Sequence, residues 1–289
     1  MNDFQRVGLL GFGTMGAGIA QVFAAAGRDV VVLEADQSRI GAGTVAVAEL
    51  LAGGVARGKL TEDTRKAVLS RITGTTEVAD LAGVDLVVES VTEDAELKKA
   101  LLARVADVVG VDTPILTNTS TLSVTDLAAA LPNPTRVAGL HFFNPAPMMR
   151  TVEVVRALQT DEALIDRLVA FVDMLDGKKP VVVEDRPGFL VNALLLPYLN
   201  DVIAEYDDGL ATAEDIDLAL RLGLGYKTGP LEMLDMIGLD VHLRATASAH
   251  AATGDDRYSP PPLLRRMVAA GRLGAKSGQG FRTGKKESR

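Results

Sequence analysis

The sequence predicts an α/β fold: a doubly wound, parallel sheet followed by a smaller all-helical C-terminal domain. Two observations support this prediction. Over roughly the first two thirds of the chain, short apolar runs alternate with segments whose apolar residues recur at helical spacing, which is typical of a parallel sheet covered by helices. Beyond about residue 185 the strand-like runs end, and the pattern stays helical to about residue 270. We therefore predict one domain at 1–185 and a second at 186–289.

The first elements form a strand–helix–strand unit. A buried strand is predicted at 7–10, then an Ala-rich helix from about Met15 to Ala26, ended by Gly27, and a second apolar strand at 30–33. Later apolar runs predict three further strands, at 84–89, 114–118 and 136–140. Leu97, Leu101 and Val105 lie on one face of a helix between them. This alternation extends the doubly wound sheet through the first domain.

Composition excludes several classes of function. The 289 residues include no cysteine, so a disulfide, a thiolate nucleophile and a cysteine metal site are ruled out. A net charge of −8 argues against a nucleic-acid surface. A membrane span requires an apolar run of about 20 residues, and we expect none in this chain. The first strand begins within a few residues of the start, so a signal peptide is not expected. We therefore expect a cytoplasmic protein. The three histidines have no metal-ligand spacing.

A glycine loop joins the first predicted strand to the first helix. Its sequence is Gly11-Phe12-Gly13-Thr14-Met15-Gly16. Glycines at this spacing between a strand and a helix indicate a Rossmann-type dinucleotide site, with the phosphates at the helix N-terminus. Glu34, at the end of the second strand, can accept hydrogen bonds from ribose hydroxyls and would repel a 2′-phosphate. NAD is therefore predicted and NADP is disfavoured; the alternative is a strand–helix turn with three packing glycines.

Polar residues cluster where later strands end. Ser120 follows one strand, and His141 and Asn144 follow the next. Ligands bind at the carboxyl ends of strands in open α/β sheets, so we expect a site there. Glu153 lies within an apolar run and needs a partner. His141 is the natural partner, as a general base whose tautomer the carboxylate fixes. The alternative is a core histidine satisfied by the backbone.

The motifs together resemble one family, the L-3-hydroxyacyl-CoA dehydrogenases, and the chain is most similar in length to the bacterial 3-hydroxybutyryl-CoA dehydrogenases among them. The resemblance covers essentially the whole chain. It is carried, in order, by Gly11-Phe12-Gly13-Thr14-Met15-Gly16-Ala17-Gly18-Ile19-Ala20, Asn118-Thr119-Ser120, His141-Phe142-Phe143-Asn144-Pro145, Pro187-Gly188-Phe189-Leu190-Val191-Asn192 and Gly229-Pro230-Leu231-Glu232.

The resemblance implies hydride transfer between NAD and C3 of a 3-hydroxyacyl-CoA, with a short acyl chain, in fatty acid metabolism. His141 would be the base and Glu153 its partner. The residues that would hold the substrate are Ser120, Asn192 and, in support, Asn144. Glu93 and Lys98 match an acidic–basic pair beside the nicotinamide. Arg57 and Lys59 fall where the family meets the CoA phosphates, and the helical domain would form a homodimer.

Three alternatives stay open at the level of sequence. A dehydrogenase of a free hydroxy acid, of the gulonate or carnitine type, would need a cationic carboxylate clamp. A 3-hydroxyisobutyrate or 6-phosphogluconate type would need a lysine base, where this chain has Asn192. A non-catalytic NAD-binding sensor would have lost the polar cluster. His242 and His250 match no motif, and we predict both on helix surfaces.

Overall fold

The computed structural model describes residues 4–282. The chain divides into two compact units, Met1–Phe189 and Leu190–Arg289, and each is described by itself.

The first unit is built on an eight-stranded sheet. Its strand order is β3-β2-β1-β4-β5-β6-β7-β8. The strands are β1 Arg6–Leu10, β2 Asp29–Leu33, β3 Ile72–Thr75, β4 Leu86–Glu89, β5 Ile115–Thr117, β6 Val137–Phe142, β7 Thr151–Arg156 and β8 Lys179–Glu184. Every neighbouring pair is parallel except β6 and β7. The predicted fold class is confirmed.

The antiparallel direction of β7 was not predicted, since the sequence indicated a parallel sheet. Residues 143–150 separate β6 from β7, too few for the crossover connection that a parallel pair requires. The turn-back places β7 beside β6 in register, with His141 opposite Glu153. This local reversal therefore brings two candidate site residues together.

Helices cover both faces of the sheet, each face with its own apolar core. They are α1 Thr14–Ala25, α2 Gln37–Ala56, α3 Glu62–Leu69, α4 Ala95–Ala106, α5 Val124–Ala129 and α6 Glu162–Asp173. Side-chain caps fix several helix starts, because Asp36, Thr61 and Asp94 each accept a main-chain N–H of the first turn.

Helix α2 is long and apolar enough to span a membrane by length and composition, the single such helix among residues 4–282. Its buried residues include Gly43, Val47 and Leu51, spaced four apart as on a helix that packs one stripe on a folded domain. Length and composition alone are weak grounds for a membrane span.

The second unit consists of helices. These are α7 Val191–Asp207, α8 Ala213–Leu224, α9 Pro230–Ile237, α10 Leu239–Thr253 and α11 Pro262–Ala269. Their apolar faces share a core that includes Leu199, Leu231 and Leu264. Asp217 of α8 accepts the N–H groups of Leu231 and Glu232 at 2.8 and 3.0 Å, so it caps the start of α9 from a neighbouring helix.

Candidate active site

The glycine loop turns sharply between β1 and α1. Gly11 has φ +94°, and a Cβ on it would lie 2.7 Å from the carbonyl oxygen of Ser90. A Cβ on Gly16 would overlap the carbonyl of Gly11. A Cβ on Gly13 would meet none of the described atoms within 4 Å, so its face is open. Two glycines are thus required by the backbone, and the third leaves space for an incoming group.

The start of α1 fits a pyrophosphate. Gly13 is the N-cap and carries no capping side chain, so N–H groups of the first turn, from exposed Thr14 and half-buried Met15, are available to an anion. Glu34 accepts the N–H of Phe12 at 2.7 Å. This bond ties the end of β2 to the glycine loop, and it places a carboxylate beside the dinucleotide position.

A cleft of about 590 Å³ adjoins the glycine loop. Phe12, Gly13 and Thr14 form one side, and α2 forms the other, with Arg57 at the far end. Arg57 directly follows α2, and Lys59 lies in the turn before α3; both are exposed. Of the two predicted basic residues, Arg57 therefore lines this cleft, and Lys59 follows it in the chain without lining it.

His141 and Glu153 form a buried pair across β6 and β7. Nδ1 of His141 lies 2.7 Å from Oε2 of Glu153. His141 is 5% exposed and Glu153 is 0% exposed. Aromatic rings of Phe143 and Phe189 contact the imidazole, with centroids 4.5 and 5.5 Å away. A carboxylate on Nδ1 fixes the tautomer and leaves Nε2 to accept a proton.

Ser120 lies in a loop that Glu93 organises. Oε1 of Glu93 accepts the N–H groups of Ser120 and Thr121 at 3.1 and 3.2 Å and the Thr121 hydroxyl at 2.9 Å. Asn118 joins the same loop to β6, because its Oδ1 accepts the N–H of Phe142 at 2.8 Å. The loop carrying Ser120 is thus bonded to the strand that carries the histidine.

Behind Glu93 lies a buried charged cluster that sequence reasoning only partly found. Lys98 is 1% exposed and contacts Glu89 at 2.6 Å and Glu93 at 3.1 Å. Glu89, 0% exposed, also accepts the Thr117 hydroxyl at 2.7 Å. Lys98 is enclosed by these groups, so any effect it has on a cofactor passes through Glu93. Glu89 was missed, although it, like Glu153, is a carboxylate in an apolar strand.

The pKa of Glu93 reflects two opposing effects. Burial raises the pKa of this carboxyl, but the ammonium of Lys98 and hydrogen bonds from the Thr119 and Thr121 hydroxyls outweigh burial. The net pKa lies below the ordinary value. Glu93 is therefore an ionised acceptor at neutral pH.

Two further predicted substrate residues are Asn144 and Asn192. Asn144 is exposed on the loop after β6, and Asn192 is half-buried in the first turn of α7, in the second unit. Among residues 4–282, no three potential ligands converge as a metal site would require.

His242 corrects one prediction. It is 2% exposed, not a surface residue, and its Nε2 lies 3.0 Å from Oδ1 of Asn200. The prediction was wrong because His242 lies on the same face of α10 as Leu239 and Thr246, which are both buried. His250 is half-buried near the end of the helix, with 36% of its side chain accessible, and its Nε2 lies 3.3 Å from Oδ1 of Asp256.

A dinucleotide loop and a histidine–carboxylate pair on one sheet define the class of protein: an NAD-dependent dehydrogenase. The comparisons with known proteins agree. Residues 6–186 match the family model described as 3-hydroxyacyl-CoA dehydrogenase, NAD binding domain, and residues 188–284 match the C-terminal domain of the same family.

Individual relatives match over nearly the whole chain. The chain is 44% identical to 3-hydroxybutyryl-CoA dehydrogenase of Mycobacterium tuberculosis over 98% of this chain and 100% of the relative. It is 42% identical to 3-hydroxyadipyl-CoA dehydrogenase of Escherichia coli over 97% of this chain and 59% of that protein. The structure of (S)-3-hydroxybutyryl-CoA dehydrogenase PaaH1 from Ralstonia eutropha superposes with TM-score 0.93, 39% identity, and coverage of 98% and 100%.

The chain belongs to the 3-hydroxyacyl-CoA dehydrogenase family. The predicted family, its NAD cofactor and its oxidoreductase activity on 3-hydroxyacyl-CoA are confirmed.

Proposed function

We propose that the preferred substrate is a short-chain L-3-hydroxyacyl-CoA, 3-hydroxybutyryl-CoA or its oxidised partner acetoacetyl-CoA, and that His141 is the base. The observation that carries the base assignment is the 2.7 Å contact between Nδ1 of His141 and Glu153. The names of the relatives from M. tuberculosis and R. eutropha support the acyl length.

In the oxidation, bound NAD would supply the acceptor for the C3 hydride, which would leave with the C–H bonding pair. Nε2 of His141 would take the proton of the 3-hydroxyl, the O–H pair would form the carbonyl, and Glu153 would stabilise the imidazolium that results. In reduction the same proton returns to the oxygen. A positioned base of this kind contributes roughly 10²–10⁴-fold to the rate.

Other residues position the reactants. We assign Gly11, Gly13, Thr14, Met15 and Gly16 to the pyrophosphate, and Glu34 to the ribose. Glu93 would stand beside the nicotinamide with Lys98 behind it. Ser120, Asn144 and Asn192 would hold the 3-oxygen and the acyl group. Orientation of two bound reactants is worth on the order of 7–11 kcal/mol, so these contacts matter as much as the base.

The CoA portion would meet the basic end of α2. Arg57 and Lys59 are exposed there, and exposed cations favour the phosphates of CoA. A carboxylate at Glu34 repels the 2′-phosphate of NADP, so NAD is favoured.

The second unit would form a homodimer. Several of its large apolar side chains are exposed, among them Leu194 (66%), Leu222 (77%) and Met236 (69%), and exposed apolar patches of this kind mark interaction sites. We also place the protein in the cytoplasm, in fatty acid metabolism. Sedimentation at several protein concentrations tests the dimer; a monomer at all of them would contradict it.

A substrate series tests the acyl assignment. NADH and NADPH oxidation are followed with 3-oxoacyl-CoA esters of increasing length, with 3-oxoadipyl-CoA, and with free 3-oxo acids. We expect the highest kcat/KM with acetoacetyl-CoA and NADH. A higher value for 3-oxoadipyl-CoA would move the specificity to a dicarboxylic acyl group, and activity on free acids alone would favour a gulonate- or carnitine-type enzyme.

His141→Gln tests the base. The amide is similar in size but cannot accept the proton, so NADH should still bind while turnover falls roughly 10²–10⁴-fold. Fluorescence titration with NADH is the control for folding. Turnover of acetoacetyl-CoA at the wild-type rate would rule the base assignment out.

A further inference from the structure

Lys178 is a buried lysine with an unusual set of partners. It is 3% exposed and lies directly before β8. Its Nζ donates to the carbonyl oxygens of Ala146 at 2.6 Å, Met149 at 2.7 Å and Pro147 at 3.2 Å. An ammonium has three donors, so its hydrogen-bonding capacity is filled by main-chain carbonyls of one short segment.

Those carbonyls belong to the loop of residues 143–150, which joins β6 to β7. This loop carries Asn144 and connects the strands of His141 and Glu153. It turns tightly, since the N–H groups of Met148 and Met149 both donate to Pro145, at 2.9 and 3.0 Å.

Such a turn directs several carbonyls to one side without strand partners. Leaving buried carbonyls unpaired would cost about 1–3 kcal/mol each. One ammonium satisfies three of them.

The same loop also packs on α1. A Cβ on Gly18 would lie 3.1 Å from both Ala146 Cβ and Pro147 Cδ, so loop and helix are in close contact. Helix α1 begins at the dinucleotide loop. The 143–150 loop therefore contacts both the helix that starts at the cofactor position and the ammonium of Lys178.

Burial lowers the pKa of Lys178, while Asp176 raises it in part. Among residues 4–282 the ammonium forms no ion pair, unlike the neighbouring Lys179, which contacts Asp173 at 3.0 Å. Main-chain carbonyl oxygens can replace the hydration shell of a cation, and an ammonium can donate its three N–H groups to them. Here the cation is the ammonium of the Lys178 side chain.

We propose that Lys178 is a positioning residue for hydride transfer: through the 143–150 loop it fixes Asn144 and the β6–β7 pair against α1. This inference rests on the proposed role of His141. It adds that the distance between the base and the cofactor depends on a carbonyl-bound cation, and that the carbonyls accept an untethered alkylammonium when the lysine side chain is removed.

Lys178→Met tests the positioning role, with Lys179→Met as the matched control. A displacement on the order of 1 Å can cost up to about 10²-fold in rate. We expect single-turnover hydride transfer to slow about tenfold or more in Lys178→Met. NADH affinity should be little changed, and NADH deuterated at the transferred position should give a fully expressed isotope effect.

Lys179→Met should match the wild type. A merely structural role would lower the melting temperature or the fraction of protein that binds NADH, yet leave the rate per bound NADH unchanged. A Lys178→Met protein that binds NADH and transfers hydride at the wild-type rate overturns the proposal.

Lys178→Ala, purified in ethylammonium chloride, tests the carbonyl cage. Ethylammonium should restore the rate in a saturable manner, and tetraethylammonium, which has no N–H donor, should not. Failure of ethylammonium to give active Lys178→Ala, or equal rescue by both salts, overturns the proposal even if Lys178→Met does not fold.

His141→Gln, measured alongside, separates the two hypotheses. If His141→Gln retains the wild-type rate, the proposed base is wrong whatever Lys178 does. If His141→Gln is slow and Lys178→Met is fast, the positioning proposal alone fails.

Discussion

The two units each bury one histidine, and the two histidines have different partners. His141 lies 2.7 Å from the carboxylate of Glu153, whereas His242 lies 3.0 Å from the amide oxygen of Asn200. Burial is nearly equal, at 5% and 2% exposure. The partner therefore distinguishes them: a carboxylate stabilises an imidazolium as it forms, and an amide offers only a dipole.

The surroundings of His242 fit a structural role. Asn200 donates from its Nδ2 to the Thr246 hydroxyl at 2.8 Å and to the carbonyl of Arg257 at 3.2 Å. Thr246 in turn donates to the carbonyl of Tyr258 at 2.7 Å. Burial lowers the pKa of His242 to about 4. The network joins α7, α10 and the segment after α10, and its histidine is neutral at physiological pH.

The largest expected effect on turnover comes from giving His141 an amide partner, as His242 has, in place of its carboxylate. Glu153→Gln keeps a hydrogen-bonding group of the same size but removes the charge that stabilises the imidazolium. We expect turnover to fall roughly 10²–10⁴-fold with NADH affinity retained. Steady-state rates with acetoacetyl-CoA measure the loss. A variant within about threefold of wild type would show that the carboxylate is not needed.

The next effect concerns acid stability. The folded-state pKa of His242, about 4, is below the ordinary 6.5, so folding favours the neutral ring. Its contribution is fully present above about pH 6.5 and is lost as pH falls toward 4; the gap in pKa corresponds to about 3 kcal/mol. Urea unfolding of wild type and His242→Gln at pH 7 and pH 4.5 measures it.

His242→Gln should lose less stability than wild type between those two values, because the titrating ring is gone. An identical loss in both proteins would contradict the pKa shift. His250→Gln, which replaces the other histidine of the same helix, is measured in parallel as the control for the substitution itself.

A smaller effect on stability is expected when His242 is given a carboxylate partner in place of its amide. Asn200→Asp gives His242 a carboxylate, which should raise the pKa of the ring above about 4, as followed by NMR titration. The loss of Nδ2 removes donors to Thr246 and Arg257, costing about 1–3 kcal/mol in the free energy of unfolding at pH 7. A histidine pKa that stays where it is in the wild type would mean that partner charge does not govern this site.

The sequence predicted the His141–Glu153 pair but not every buried carboxylate of the site. Glu153 was found because a carboxylate in an apolar strand needs a partner, and the antiparallel return of β7 then placed it opposite His141. The antiparallel direction of β7 follows from the short connection between β6 and β7. The length of that connection can be read from the sequence, but it was not used in the prediction. Glu89 gave the same signal as Glu153 and was missed. The assignment of roles to the site residues stays a prediction.

Other features had weaker signals or none. His242 lies at helical spacing between Leu239 and Thr246, a periodicity that could have shown its burial. Lys178 had no such signal, because its partners are main-chain carbonyls about 30 residues away in sequence. Side chains that bind backbone depend on the path of the chain, which residue identities do not specify.

Single-turnover hydride transfer from NADH to acetoacetyl-CoA at pH 7, measured in His141→Gln and His242→Gln, compares the roles of the two buried histidines. Each substitution removes one buried histidine. The partner left behind is the carboxylate of Glu153 in His141→Gln and the amide of Asn200 in His242→Gln. We predict a rate at least about 10²-fold lower in His141→Gln and a rate close to wild type in folded His242→Gln. Equal losses in the two variants, or a larger loss in His242→Gln, would contradict the account.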